Sequence, residues 1–375
     1  MNTIKSIEEH FSIIKDPRIN RTKKHKLIDI IIIALCSMMC GMKGWEEIEL
    51  FAKAHIDWFK TFLELPNGIP SHDTFYRVFS RINNKEFNQA MLRWVEELNL
   101  NVEGEVVAID GKTLRGSFDT ATGKGALHMV SAWTEGTNLV LGQVPVESKK
   151  NEITSIPILL RMLNLKGAIV TIDAIGCQKE IVNIIREEKD ADYVLALKKN
   201  QPTLYNEVED LFKLAERNKD YYITDIASSV DKGHGRIEQR TCTCIELPDQ
   251  LDYIAQGWKD LTTVVKIHAI REKKEKVEEQ TRYFISSLPC NAKQIAHSVR
   301  THWGIENGVH WRLDMTFQED ASRIRKGNAA ENMAILRRLA FSLVKARTPE
   351  KMTVRRAMLR MVMDWSFAEK YFFCK

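Results

Sequence analysis

Two runs of strand length, AIVTI at 168–172 and YVLAL at 193–197, are almost continuously apolar, and the amphipathic segment CQKEIVNIIREEK lies between them. Strands of that texture are buried on both faces, as parallel strands in a helix-covered sheet are. The pair therefore predicts a strand-helix-strand unit, and no other feature restricts the fold as tightly. Ahead of it, VVAIDG, ALHMVSAWT and NLVLGQVPV are β-rich, separated by turn residues, and read as an antiparallel meander. Three antiparallel strands followed by helix, strand, helix, strand describe an α/β mixed sheet with flanking helices.

The remaining chain divides around that sheet. Residues 1–100 read as a helical domain: a buried run from Leu27 to Met42, a segment from Trp45 to Leu65, the turn LPNGIP, and Ser71 as an N-cap. Beyond Ser71, Phe75, Phe79 and Ile82 share one helical face, and Arg77 and Arg81 sit a turn apart on another. A DNA-reading helix pack and a plain one both fit. Residues 101–219 form the first part of the core and 220–290 a β-rich insertion expected as a subdomain. Residues 291–345 return to the core, and 346–375 are expected as a basic helical tail.

The apolar stretch Ile30–Met42 is shorter than the roughly 20 residues of a membrane span. The first ten residues lack the apolar core of a signal peptide, so neither membrane nor secretion is expected. Seven cysteines without a CxxC pair point to reduced thiols in a cytoplasm. Net charge is +5, but Arg323–Arg360 alone holds eleven Lys or Arg against two Glu. A second knot, KDPRINRTKKHK at 15–26, holds six against one Asp. Such clusters neutralise phosphate backbones, while a solvated helix face explains either one taken alone.

Asp110 in AIDGKT and Asp173 in TIDAIG each follow an apolar strand run, and ligand sites in open α/β sheets lie outside the carboxyl ends of neighbouring strands. Paired strands would bring both carboxylates to one crevice. Magnesium is held by a few carboxylates together with substrate phosphates, and two such ions can activate and release phosphodiester oxygens. A third acid, Glu306, lies in HSVRTHWGIENGVHWRLDMTF, where His302, Glu306, His310 and Asp314 recur every four residues. Trp303 and Trp311 beside it suggest partial burial. Each residue has a plainer explanation: an Asp before Gly is usually a turn former, and a pairing of Glu306 with a histidine one turn away accounts for it equally well.

The blocks VAIDGKTLRGS, TIDAIGCQKEI, YVLALKKNQPTL and HWGIENGVHWRLDMTFQEDASRIRKGNAAENMAILRR resemble those of bacterial insertion-sequence transposases of the DDE class. The branch most resembled is that of the H-repeat-associated proteins of Rhs elements. DIIIIALCSMMCGMKGWEEIELFA and FLELPNGIPSHDTFYRVFSRI are similar to that branch too, so the likeness covers nearly the whole chain. It implies an RNase H-like core interrupted before the glutamate helix by a β-rich insertion. It further implies a triad of Asp110, Asp173 and Glu306, Mg2+ with Mn2+ able to substitute, DNA transposition on double-stranded element ends and target, and a dimer or larger assembly on DNA. Related transposases carry a Tyr, Arg, Glu, Lys signature around the glutamate. Here Val299, His302 and Leu313 stand at the other three positions, and Arg300 and Arg312 are candidate substitutes.

Further DNA contacts are expected from Lys112 and Arg115 after Asp110, Lys198 and Lys199 past the YVLAL strand, and Arg325 and Lys326 in the basic stretch. Gln178, opening a helix, fits a phosphate contact or an ordinary exposed side chain. In KGHGRIEQRTC, strand alternation puts His234, Arg236, Glu238 and Arg240 on one side, either gripping DNA or solvating a hairpin. Two rival functions stand beside transposition: a catalytically inactive transposase-derived DNA-binding protein, and a zinc hydrolase using His302, Glu306 and His310. The second is disfavoured because HExxH spacing is absent.

Overall fold

The computed structural model describes residues 3–372, except 99, 119–122, 124, 147–150, 219–221, 234, 248–250, 274–275 and 350. The two apolar runs form β4 (Ile169–Ile172) and β5 (Asp192–Leu197), which pair in parallel, and β4 also pairs in parallel with β1 (Val106–Thr113). Strands β2 (His128–Thr134) and β3 (Val140–Val146) continue antiparallel from β1, completing the expected meander. The result is the mixed sheet with flanking helices of an RNase H-like fold.

The insertion does not form a sheet of its own. Its strands β6 (Thr224–Gly233), β7 (Arg236–Glu246), β8 (Thr263–Lys273) and β9 (Lys276–Ser286) are antiparallel neighbours, and β9 pairs with β5. One nine-stranded sheet results, in the order β3-β2-β1-β4-β5-β9-β8-β7-β6. Residue alternation gives it two distinct faces. Val106, Ile169, Val194, Cys244, Val265 and Phe284 lie under Ile295 and Val299 of the helix Ala292–Gly304. The opposite face, with Val107, Ile109, Val170 and Leu195, belongs to the main core, to which the helix Glu152–Met162 contributes Ile156 and Leu159.

The helical layer is built around Leu27–Met39, in which every residue from Asp29 to Met39 is buried. The expected segment from Trp45 onward breaks into Trp45–Ala54 and Ile56–Phe59. Ser71 occupies the N-cap of His72–Phe79 without capping it; its hydroxyl instead lies 3.1 Å from the Thr74 hydroxyl. The long helix Ala329–Arg347 touches Leu27–Met39, His72–Phe79, the helix Asn84–Glu97 and β3, so it joins helical layer and sheet in one core. No described helix is long and apolar enough to cross a membrane.

The C-terminal residues, expected as a basic helical tail, form two docked helices. Helices Val354–Met363 and Trp365–Phe372 pack against Ala329–Arg347, and the second also meets Thr3–Phe11. Trp365 stacks on His55 at 4.5 Å, and the Phe372 ring lies 5.0 Å from that of Trp58. Phe372 is 1% exposed, so Phe372→Ala leaves an aromatic-sized void. It should cost about 3–5 kcal/mol in urea denaturation, and a loss below about 1 kcal/mol would mean that the last helix is not docked.

Candidate active site

Parallel pairing of β1 with β4 aligns Ile109 with Ile172. The next residue after each of these is an aspartate, so Asp110 and Asp173 stand side by side. Both follow the alternation of Val106 and Ile169, which puts them on the face beneath Ala292–Gly304. Asp173 ends its strand and caps the short turn Ala174–Gly176, accepting from the Ile175 amide at 3.0 Å. Asp110 does not end its strand: β1 runs on to Thr113, and Asp110 stays paired with Ser131 of β2. Gly111 is therefore no turn former. A side chain there would collide with Glu152 and His128, a buried hydrogen-bonded pair on the opposite face.

The glutamate helix continues past Gly304 through a π-helical turn, Ile305–His310, into Trp311–Met315. Four residues of ideal α-helix overshoot a full turn by about 40°, and the wider π turn offsets that drift. The every-fourth-residue strip thus stays aimed at the sheet. His302 Nδ1 lies 3.1 Å from the Thr171 hydroxyl on β4. His310 Nδ1 lies 3.4 Å from Asp110 Oδ2, and Asp314 Oδ1 lies 2.8 Å from the ammonium of Lys112 on β1. Glu306, between them, is exposed. Gly304 permits the close approach, since a Cβ there would stand 3.0 Å from Trp133. The flanking tryptophans are partly covered: Trp303 and Trp311 are 39% and 57% exposed.

The acids sense one another. Glu306 keeps contact with solvent, but partial desolvation raises its carboxyl, and the charges of Asp110 and Asp173 raise it further, against His310. Burial likewise raises Asp173; its bond from Ile175 opposes this, while Asp110 and Glu152 add to it. Asp110 is the exception. Burial pushes it up, but the hydrogen bond and charge of His310, with His302 behind, hold it below the usual aspartate value. Among the described residues, no three ligand-type side chains already converge on one point. The donor set nonetheless suits a hard divalent ion: oxygen-only, from three elements, with mutual repulsion that a cation would relieve.

The cationic candidates scatter. Lys112 is not a surface contact; it is 7% exposed and lies 2.8–3.6 Å from Asp314, Glu319 and Asp320. Arg115 is 85% exposed nearby, and Lys198 and Lys199 are exposed just past β5. Gln178 is half-buried, its side chain bonded within its own turn and to Gln201. Arg236 is exposed, but Arg240 is paired with Asp231 and Glu238, so the ridge is largely neutralised. His234 lies outside the described residues. Arg300 stands 3.5 Å from Asp231, and Arg312 is half-buried. Arg325 donates to the Gly116 carbonyl and covers Phe118, and Lys326 lies over Tyr76.

Sequence reasoning missed the buried ion network behind the site. Glu319 and Arg338 pair at 2.7 Å with both side chains fully buried, and Arg338 Nε reaches the Ser131 hydroxyl at 3.3 Å. Ser131 is the β2 partner of Asp110. The legible signal was an adjacent arginine pair inside the otherwise apolar AILRRLAF. Burial raises the Glu319 carboxyl, but Arg338, Lys112 and Arg337 outweigh it and leave it low. Its stabilisation is therefore present at neutral pH and lost as pH falls through the lowered value. Glu319→Gln should cost about 3–5 kcal/mol at pH 7, with a smaller penalty in acid; an equal penalty at both would contradict the pairing. Asp173 and Glu306 have the opposite sign, their contribution being lost as pH rises. Asp173→Asn should raise the Tm of metal-free protein at pH 7 by on the order of a degree or more, and this gain should vanish near pH 4. A lowered Tm at pH 7 would refute the crowding of the acids.

Comparison with known proteins agrees with this architecture. The family described as "Transposase DDE domain" matches residues 102–343, and one described as "DDE_Tnp_1-associated" matches residues 8–95. The putative transposase YncI of Escherichia coli O157:H7 is 39% identical over 98% of this chain and 94% of its own. The H repeat-associated putative transposase YhhI of Escherichia coli K12 is 39% identical over 97% of each. A shorter K12 protein named an inactive transposase, YbfQ, is 42% identical over 21% of this chain and 93% of its own. On the family match and this near full-length similarity, the chain belongs to the DDE-domain transposases.

Proposed function

We propose that the chain is an active DNA transposase in which Asp110, Asp173 and Glu306 hold the divalent metal. The observation that carries this reading is the β1–β4 register, which sets two carboxylates side by side beneath a helix presenting the third. In the reaction, water attacks the phosphodiester at an element end and the P–O3′ bond breaks, freeing a 3′ hydroxyl. That hydroxyl then attacks a phosphodiester of target DNA in line, displacing another 3′ oxygen. The chemistry supplied by a bound pair of Mg2+ or Mn2+ ions is activation of the entering oxygen and stabilisation of the leaving one.

The protein's own groups prepare that site. His310 keeps Asp110 ionised, and His302, bonded to Thr171, holds the glutamate helix against β4. Arg115, Lys198 and Lys199 stand exposed near the carboxyl ends of β1 and β5, placed to contact substrate phosphates. Two element ends call for at least a dimer on DNA, working in the bacterial cytoplasm on the nucleoid.

The test is cutting and joining of a supercoiled plasmid carrying the gene with its native flanking DNA. Magnesium or manganese should support both steps and zinc neither. Asp110→Asn, Asp173→Asn and Glu306→Gln should each lower them on the order of 100-fold or more. Activity retained in any of the three removes that residue from the site. A parent protein that binds the plasmid but never cuts it would favour the catalytically inactive alternative.

A further inference from the structure

In the helical layer, two basic segments far apart in the chain fold onto one hollow. It encloses about 800 Å³ and is lined by Arg18, Arg21, Lys24, His25, Arg77 and Arg81, with no acidic residue among its lining. Arg18 is committed internally, forked onto Asp16 at 2.9 and 3.0 Å and donating to the His25 carbonyl at 2.7 Å, and so braces the wall. Arg21, Lys24 and Arg81 are exposed, and Arg77 is 63% exposed with Asp73 at 3.7 Å. Another side of the helix His72–Phe79 faces a second hollow, lined by Glu46, Glu47, Asp73, His72 and Tyr76, in which the acids outnumber the one histidine. The charge is therefore sorted by side. Gathering like charges into a concavity costs stability, a cost a merely solvated face avoids by spreading them.

The hollow is also tied to the candidate active site. Arg325 donates to the Gly116 carbonyl at 3.0 Å, just past β1. Lys326 lies 5.8 Å from the Tyr76 ring on the helix that carries Arg77. Asn328 donates to the Ile82 carbonyl at 2.9 Å, beside Arg81. The segment 325–328 thus joins the end of β1 to the helix whose other side forms one wall of the hollow. Lys326 meets the Tyr76 side of that helix, which borders the acidic hollow, while Arg77 and Arg81 face the basic one.

We propose that this hollow grips the sugar-phosphate backbone of duplex DNA, the same duplex whose adjoining stretch enters the Asp110–Asp173–Glu306 site. The choice of partner rests on the proposed function, because the helix that carries Arg77 and Arg81 is tied through 325–328 to a site for phosphodiester chemistry. A hollow with several free cations and no acid fits a repeating phosphate chain and leaves base identity unread.

The test is fluorescence anisotropy of a mixed-sequence duplex of about 30 base pairs, titrated with full-length protein in EDTA across a salt series. Arg21→Gln/Arg81→Gln should weaken binding about tenfold and reduce the slope of log affinity against log salt by about two. Arg21→Lys/Arg81→Lys should restore most of both, and Lys166→Gln/Lys213→Gln, on other surfaces, should change neither. Unchanged affinity and slope in the first variant, with helicity intact, would overturn the proposal. Duplex RNA bound as tightly and weakened equally by that variant would also overturn it. EDTA removes cutting from the measurement, so loss of binding here and loss of cleavage in the plasmid assay are read separately.

Discussion

Everything at the candidate site depends on the in-register parallel pairing of β1 and β4. Backbone hydrogen bonds fix Ile109 beside Ile172, and the two acids follow with no freedom to separate. A slip of one residue would send one aspartate to the opposite face, under Glu152 and His128, because side chains alternate along a strand. Register is in turn enforced by burial, since Val106, Val107, Ile109, Ile169, Val170 and Ile172 are each at most 4% exposed.

A second constraint aims the third acid. Helix Ala292–Gly304 is seated on the apolar part of its face by Ile295 and Val299, and farther along that face turns polar. There the contacts follow in order along helix and strands: His302 to Thr171, His310 to Asp110, Asp314 to Lys112. Glu306 is the member of the strip with no such neutralising partner, and the charges it senses are those of the two aspartates and His310. Behind the strip, Lys112, Glu319 and Arg338 form a buried network. Buried charge is poor at adding stability but costly to disturb, so its value here is a fixed geometry for β1, the glutamate helix and Ala329–Arg347.

Much of this was legible because its signals are local. Continuous apolar runs marked β4 and β5, and the strip at 302, 306, 310 and 314 marked the face of the glutamate helix. What escaped depends on packing between distant segments. Asp110 before Gly111 looked like a turn former because the crowding of Gly111 by Glu152 and His128 involves another helix and another strand. Lys112 read as a surface cation because its three carboxylates lie some 200 residues downstream. The insertion read as separate since nothing local announces that β9 will find β5. The C-terminal helices looked like a basic tail, because the partners of their aromatic face, among them Trp58 and His55, lie some 300 residues upstream.

The central claim is that three carboxylates from two strands and a helix act together as one divalent-cation site. The most direct measurement is electron paramagnetic resonance of Mn2+ titrated into the full-length protein without DNA, which counts bound ions independently of any cutting. Parent protein should bind Mn2+ competitively with Mg2+, and Asp110→Asn, Asp173→Asn and Glu306→Gln should each weaken that binding severalfold or more. Mn2+ binding of equal strength in the parent and all three variants would contradict the account.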